Sequence, residues 1–209
     1  MQDTRRGMLI VLEGGEGSGK DANIAYLQEK LAHRDDILFT REPGGTVIGE
    51  GIRAVLMDHG SHGMSVETEL LMFMAARAQL MHEVIRPALE AGSHVVANRF
   101  GLSTVAYQIY RKERHEYRDF LNILSTQVVG DVTPHYVLLD VAPEVGIART
   151  KSRNGEITRF DVEPLEVHER VRQGYHDAIR DFPHVVIDAN RELEIVNEDV
   201  YKYVSSHLP

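Results

Sequence analysis

Gly14-Gly15-Glu16-Gly17-Ser18-Gly19-Lys20 constrains this chain more than any other stretch, because it matches G-x-x-x-x-G-K between an apolar run and an amphipathic segment. Glycines in such a loop let backbone N–H groups converge on phosphate oxygens, and the lysine neutralises charge between leaving and transferred groups. The loop works only between a strand and a helix. Met8 to Leu12 supplies the strand, and Ile24, Leu27 and Leu31 share one face of the helix that follows. These residues imply a P-loop phosphoryl-transfer protein. One position departs from the motif: the residue after the lysine is usually Ser or Thr, whose hydroxyl ligates the magnesium that accompanies the nucleotide, and here it is Asp21.

Four more short apolar runs, Ile37 to Phe39, His94 to Ala97, Tyr136 to Leu139 and Val185 to Ile187, read as buried parallel strands. Between them Leu70, Met74, Met81, Ile85 and Leu89 keep near-helical spacing along a long segment closed by Ala91-Gly92. Alternating strands and helices predict a doubly wound α/β sheet. With 209 residues and no linker or repeat, a single domain over residues 1–209 is expected. The polar, basic stretch from Lys151 to Arg159 is the best candidate for a lid, placed at about 149–162.

Thirty-two acidic against 23 basic residues, a net charge of -9, argue against nucleic acid as a partner, although a local basic cleft can still hold phosphates. The chain has no cysteine, so no disulfide, iron–sulfur or thiolate zinc site can form. Its N-terminal apolar run is too short for a signal-peptide core or a membrane span. A cytoplasmic protein without a membrane partner is expected.

Thr40-Arg41-Glu42-Pro43-Gly44-Gly45-Thr46 follows the loop, then Leu71-Met72-Phe73-Met74-Ala75-Ala76-Arg77, Asn98-Arg99-Phe100-Gly101-Leu102-Ser103-Thr104-Val105-Ala106-Tyr107-Gln108 and Leu139-Asp140-Val141-Ala142-Pro143-Glu144-Val145-Gly146. In this order, and over nearly the whole chain, these segments resemble the bacterial-type thymidylate kinases. The resemblance implies a P-loop nucleoside monophosphate kinase fold, with a five-stranded parallel sheet of order 2-3-1-4-5, flanking helices and a short lid. It also implies transfer of the ATP γ-phosphoryl group to dTMP with Mg2+, and a homodimer packed through helices. The alternatives are a kinase for another or 5-modified deoxynucleoside monophosphate, and a nucleotide-binding homologue with impaired catalysis.

The same resemblance distributes the site. Gly14, Gly15, Glu16, Gly17, Ser18, Gly19, Lys20 and Asp21 would hold ATP, with Arg149 packed near the adenine. Arg41, Pro43, Phe73, Arg77, Arg99, Ser103, Thr104, Tyr107 and Gln108 would hold dTMP. Among these Phe73 and Arg77, four apart on one helix, would address thymine by stacking and hydrogen bonding. Arg99 emerges at the carboxyl edge of the sheet and would hold the acceptor phosphate. Glu16 would approach the sugar 3′-hydroxyl, and Tyr107 would help exclude a 2′-hydroxyl. Because the phosphate loop contains no arginine, the chain resembles the subclass whose catalytic arginine comes from the lid, with Arg153 the first choice and Arg159 and Arg149 flanking it. Lys20, Arg153, Arg99 and Glu16 are thus the expected catalytic residues.

The family carries Asp-Arg at the end of the third strand where this chain has Asn98-Arg99. Asparagine keeps an oxygen ligand and loses the charge, while Asp21 adds a carboxylate where relatives carry a hydroxyl. Together they suggest a metal site of Asp21 and Asn98 whose charge has moved from strand end to helix start. Glu13, beside the loop, stands where relatives are acidic, which leaves open a part in water or metal positioning.

Overall fold

The computed structural model describes residues 6–152 and 163–208. Strands β1 (Leu9–Glu13), β2 (Ile37–Arg41), β3 (His94–Asn98), β4 (His135–Asp140) and β5 (His184–Asp188) pair in parallel in the order β2-β3-β1-β4-β5. Each expected strand is present, with ends displaced or extended by one or two residues. The extensions to Glu13, Arg41, Asn98 and Asp140 matter, because they carry polar residues of the carboxyl edge into the ladder.

Alternate strand residues feed two cores, as a pleated sheet covered on both faces requires. Leu9, Val11, Val95, Ala97, Tyr136 and Leu138 pack on one face, and Ile10, Leu12, Val96, Val137, Leu139 and Ile187 on the other. The first face is covered by α3 (Val66–Leu80), α4 (Arg86–Glu90) and α8 (Leu165–Ala178), the second by α1 (Lys20–Lys30) and α9 (Leu193–His207). Helices α2 (Val47–Met57), α5 (Gly101–Thr104), α6 (Arg118–Val129) and α7 (Pro143–Ser152) complete the set among the described residues.

The long segment expected as one helix is α3 and α4 joined by a π-helical turn, Met81–Ile85. Met81, Ile85 and Leu89 recur every fourth residue, a spacing that drifts around an α-helix of about 3.6 residues per turn. The wider turn absorbs the drift and keeps all three buried. A second π turn, Val105–Tyr110, continues α5, with the Arg111 amide bonded to the Ala106 carbonyl at 2.9 Å.

Candidate active site

Lys20 opens α1 behind Gly19, whose φ of 87° lies in the left-handed region. A Cβ on Gly17 would sit 2.2 Å from the Gly146 carbonyl oxygen, so the loop runs against α7 as only glycine permits. The Lys20 Nζ donates to the carbonyl oxygens of Gly14 (2.9 Å) and Gly15 (2.8 Å) and to Ser18 Oγ (3.0 Å). Burial, reinforced by the positive charge of Arg99, pushes the Lys20 ammonium down to about 7, against the pull of Glu16, Asp21 and Glu13.

The chain turns sharply after β3. Arg99 holds a φ of 69°, uncommon for a non-glycine residue. Two anchors impose it: the Arg99 amide donates to the Leu12 carbonyl at 2.9 Å, and the Phe100 amide to Glu13 Oε1 at 2.8 Å. Glu13 also accepts from the Ser103 amide (3.1 Å) and Ser103 Oγ (2.6 Å), so both its oxygens serve the start of α5. That geometry ties Glu13 to shaping the turn. Burial raises its carboxyl, with Arg99 and the Ser103 hydroxyl opposing.

The turn lays the Arg99 guanidinium across the phosphate loop. Its Nη1 donates to the Gly14 carbonyl (3.1 Å), Ser103 Oγ (3.1 Å) and the Tyr175 hydroxyl (2.8 Å), and Nη2 reaches Glu16 at 3.5 Å. The Tyr107 hydroxyl donates to the Glu16 carboxylate, at 2.6 and 2.5 Å from its two oxygens. Expected loop, phosphate and sugar residues thus meet in one network.

A cavity of about 980 Å³ extends from this network in both directions. One end is walled by Phe73, Arg77, Thr104 and Gln108. Arg77, 1% exposed, is clamped by Glu42, with Nη2 2.7 Å and Nε 3.1 and 3.0 Å from its carboxylate oxygens. It also donates to Thr104 Oγ1 (2.9 Å) and stacks over the Phe100 ring (4.8 Å). Gln108 is held by Glu69, with Nε2 to Oε1 at 2.8 Å. The other end lies between the loop and residues 189–193, where Arg149 Nη1 donates to the Ala189 carbonyl (2.7 Å) and Nη2 to the Asn190 (3.3 Å) and Arg191 (3.2 Å) carbonyls. Pro43 and Arg41 line the middle, the latter paired with Glu50 at 2.7 Å.

Asp21 and Asn98 face this cavity and touch: Asn98 Nδ2 donates to Asp21 Oδ1 at 2.7 Å. Arg153 and Arg159 lie outside the described residues, as does most of the expected lid.

Two contributors escaped the sequence reading. Arg53 lines the cavity and donates to the Pro43 carbonyl at 2.9 Å, adding a third cation beside Arg41 and Arg99. Its signal was available: Gly49, Arg53 and Leu56 form an i, i+4, i+7 stripe, and both its neighbours there are buried. Tyr175 is buried on α8 and braces Arg99, and nothing in its local sequence separates it from a core aromatic.

A protein-family model described as Thymidylate kinase matches residues 12–200. The chain is 42% identical to the thymidylate kinase of Symbiobacterium thermophilum over 97% of its length and 94% of that protein. It is 39% identical to the thymidylate kinase of Magnetococcus marinus, covering 97% of this chain and 98% of that one. The crystal structure of thymidylate kinase from Ehrlichia chaffeensis superposes with a TM-score of 0.74 at 29% identity, over 95% of this chain and 99% of that one.

Proposed function

The chain belongs to the thymidylate kinase family and is a nucleoside monophosphate kinase that transfers the ATP γ-phosphoryl group to dTMP, and on that premise we propose how its residues divide the work. ATP occupies the end formed by Gly14 to Asp21 and Arg149, and dTMP the end formed by Phe73, Arg77, Thr104 and Gln108, with Pro43 beside it. The observation that carries this reading is the position of Arg99. Its guanidinium touches the phosphate loop through Gly14 and Glu16 and the acceptor side through Ser103, at the junction of the two ends. An acceptor phosphate there meets Arg99, Arg41 and Arg53, whose charge offsets its own and orients an oxygen for in-line attack. Lys20 draws charge from the transferred group, and no covalent intermediate is required.

Glu16, with the Tyr107 hydroxyl fixed on it, faces the sugar. The carboxylate receives the 3′-hydroxyl, and the Tyr107 hydroxyl held on it takes the space of a 2′-substituent.

The donor set beside the loop fits Mg2+. Asp21 offers a carboxylate and Asn98, whose amide nitrogen is bonded to Asp21, offers its carbonyl oxygen, both hard oxygen ligands. Among the described residues no group of three His, Cys, Asp or Glu could hold a metal alone. The remaining ligands would come from phosphate oxygens and water, and an ion held there would neutralise charge on the phosphates. In this reading the site's acidic group has moved from strand end to helix start.

Arg153 in a lid of about 149–162 supplies the transition-state cation, supported by the lack of arginine in the phosphate loop. The chain works as one P-loop kinase domain in the cytoplasm; no helix among the described residues is long and apolar enough to cross a membrane. A homodimer is supported by Val47, Ile48, Val55, Leu71, Phe120 and Ile123, large apolar side chains exposed on α2, α3 and α6.

A panel of deoxynucleoside monophosphates with ADP formation coupled to a spectroscopic readout tests the reading. dTMP is expected to be the best acceptor. Tight dTMP binding with no ADP formed at any magnesium concentration would overturn the catalytic assignment.

A further inference from the structure

A primary amide such as Gln108 can turn either end toward a ligand, its oxygen accepting or its nitrogen donating. Gln108 lines the base end of the cavity at 1% exposure. Behind it sits Glu69, 0% exposed, whose Oε1 accepts from Gln108 Nε2 (2.8 Å) and from Arg111 Nη2 (3.2 Å). A carboxylate paired with a guanidinium accepts hydrogen bonds, so only the NH2 end of the amide can face it. The carbonyl oxygen is left for the cavity. Arg77, on the same wall, can only donate.

The wall therefore presents one acceptor beside a donor. A 4-oxo pyrimidine answers with an N3–H and an O4 acceptor. A 4-amino pyrimidine presents the reverse, a bare N3 and an amino donor, and leaves like groups opposed. Resting on the reading of the acceptor as dTMP, we propose that Glu69 is a positioning residue that fixes which end of the Gln108 amide meets the base. It thereby sets the preference for 4-oxo over 4-amino deoxynucleoside monophosphates. Arg111 holds the oxygen of Glu69 in place and is itself tied to Glu163 at 3.0 Å.

The test compares kcat/KM for dTMP and dCMP, with binding of each by calorimetry and folding checked by thermal denaturation. The wild-type protein prefers dTMP. Glu69→Leu frees the amide and is expected to lower the dTMP/dCMP ratio about tenfold or more, with KM for ATP unchanged. Glu69→Gln, whose carbonyl oxygen Arg111 retains, is expected to keep the ratio within about threefold. Glu69→Leu combined with Gln108→Leu is expected to match Gln108→Leu alone, since the glutamate acts through the amide. Should Glu69→Leu not fold, Glu69→Asp keeps the charge beside Arg111, withdraws the oxygen from Gln108 by one methylene, and is expected to lower the ratio in the same direction. An unchanged ratio in the folded variant overturns the proposal. A wild-type protein with no preference for dTMP would instead overturn the acceptor reading on which it rests.

Discussion

Asn98 and Asp21 lie 77 residues apart in sequence, and the amide nitrogen of one donates to the carboxylate of the other at 2.7 Å. The two departures from the family pattern are therefore one contact, which joins the end of β3 to the start of α1. If the charge has moved within a single site, Asp21→Ser raises the magnesium concentration for half-maximal turnover about tenfold, and Asp21→Ser with Asn98→Asp restores it. Magnesium titration of ATP-to-dTMP transfer, with calorimetry of metal and nucleotide binding, checks both. A double variant no better than the single one refutes the relocation.

Lys20 couples nucleotide binding to protons. Its pKa is lowered from 10.5 to about 7, mainly by burial. Between those values the unfolded chain holds a proton that the folded protein lacks, so this residue's contribution to stability rises as pH climbs through that window. Below about 7 its unfavourable share is present in full. Phosphate oxygens favour the ammonium, so ATP binding at pH 8 to 9 takes up as much as about one proton. Calorimetry in buffers of different ionisation enthalpy reads this directly, and Lys20→Met removes both the uptake and about 100-fold or more of kcat.

Tyr107→Phe deletes the hydroxyl bonded to Glu16 while keeping the ring. If this tyrosine helps keep ribonucleotides out, the kcat/KM ratio of dTMP to its ribose counterpart falls several-fold. Its thermal midpoint is expected to move little, because Glu16 keeps Arg99 as a neighbour.

Glu42→Ala strands the Arg77 guanidinium, which is otherwise buried in a forked pair. Removing one partner of such a pair costs about 3–5 kcal/mol, so thermal denaturation should show a midpoint lower by roughly 10 °C. Arg77→Lys cannot reproduce the fork, and is expected to raise KM for dTMP as well as lower the midpoint.

Ile123→Glu, at a side chain 63% exposed on α6, tests the homodimer. Light scattering coupled to size exclusion should shift from twice the chain mass towards 23.6 kDa, without loss of helical signal. A wild-type protein already at the single-chain mass would dismiss the dimer.

The sheet could be read from the sequence because each strand is an apolar run flanked by helical periodicity, a pattern that burial on both faces enforces. Its order came from resemblance, since periodicity carries no information about neighbours. Lys20, Glu16, Arg99, Arg77, Tyr107 and Gln108 stand out as candidates because they sit in contiguous motifs, and the structure places them around one cavity. Arg53, held by Pro43 only ten residues away, was marked by its place in a buried stripe, whereas Tyr175 acts through a contact made across the fold and looks locally like an ordinary core aromatic. The Glu69–Gln108 and Asp21–Asn98 bonds belong to the same class. Pairing across long separations is decided by topology, so the residue types were visible and the partnerships were not.

The π turn at Val105–Tyr110 gives the helix after β3 one residue more than regular winding would accommodate. Within it, the adjacent residues Tyr107 and Gln108 reach different carboxylates, Glu16 and Glu69. The turn behaves as a retained insertion. Deleting one residue there would let the helix close into regular bonding while the flanking turns kept their faces, but Tyr107 and Gln108, inside the turn, would shift against the two carboxylates they now reach. Within this single turn, what would make the protein sturdier would undo two contacts at the wall of its cavity.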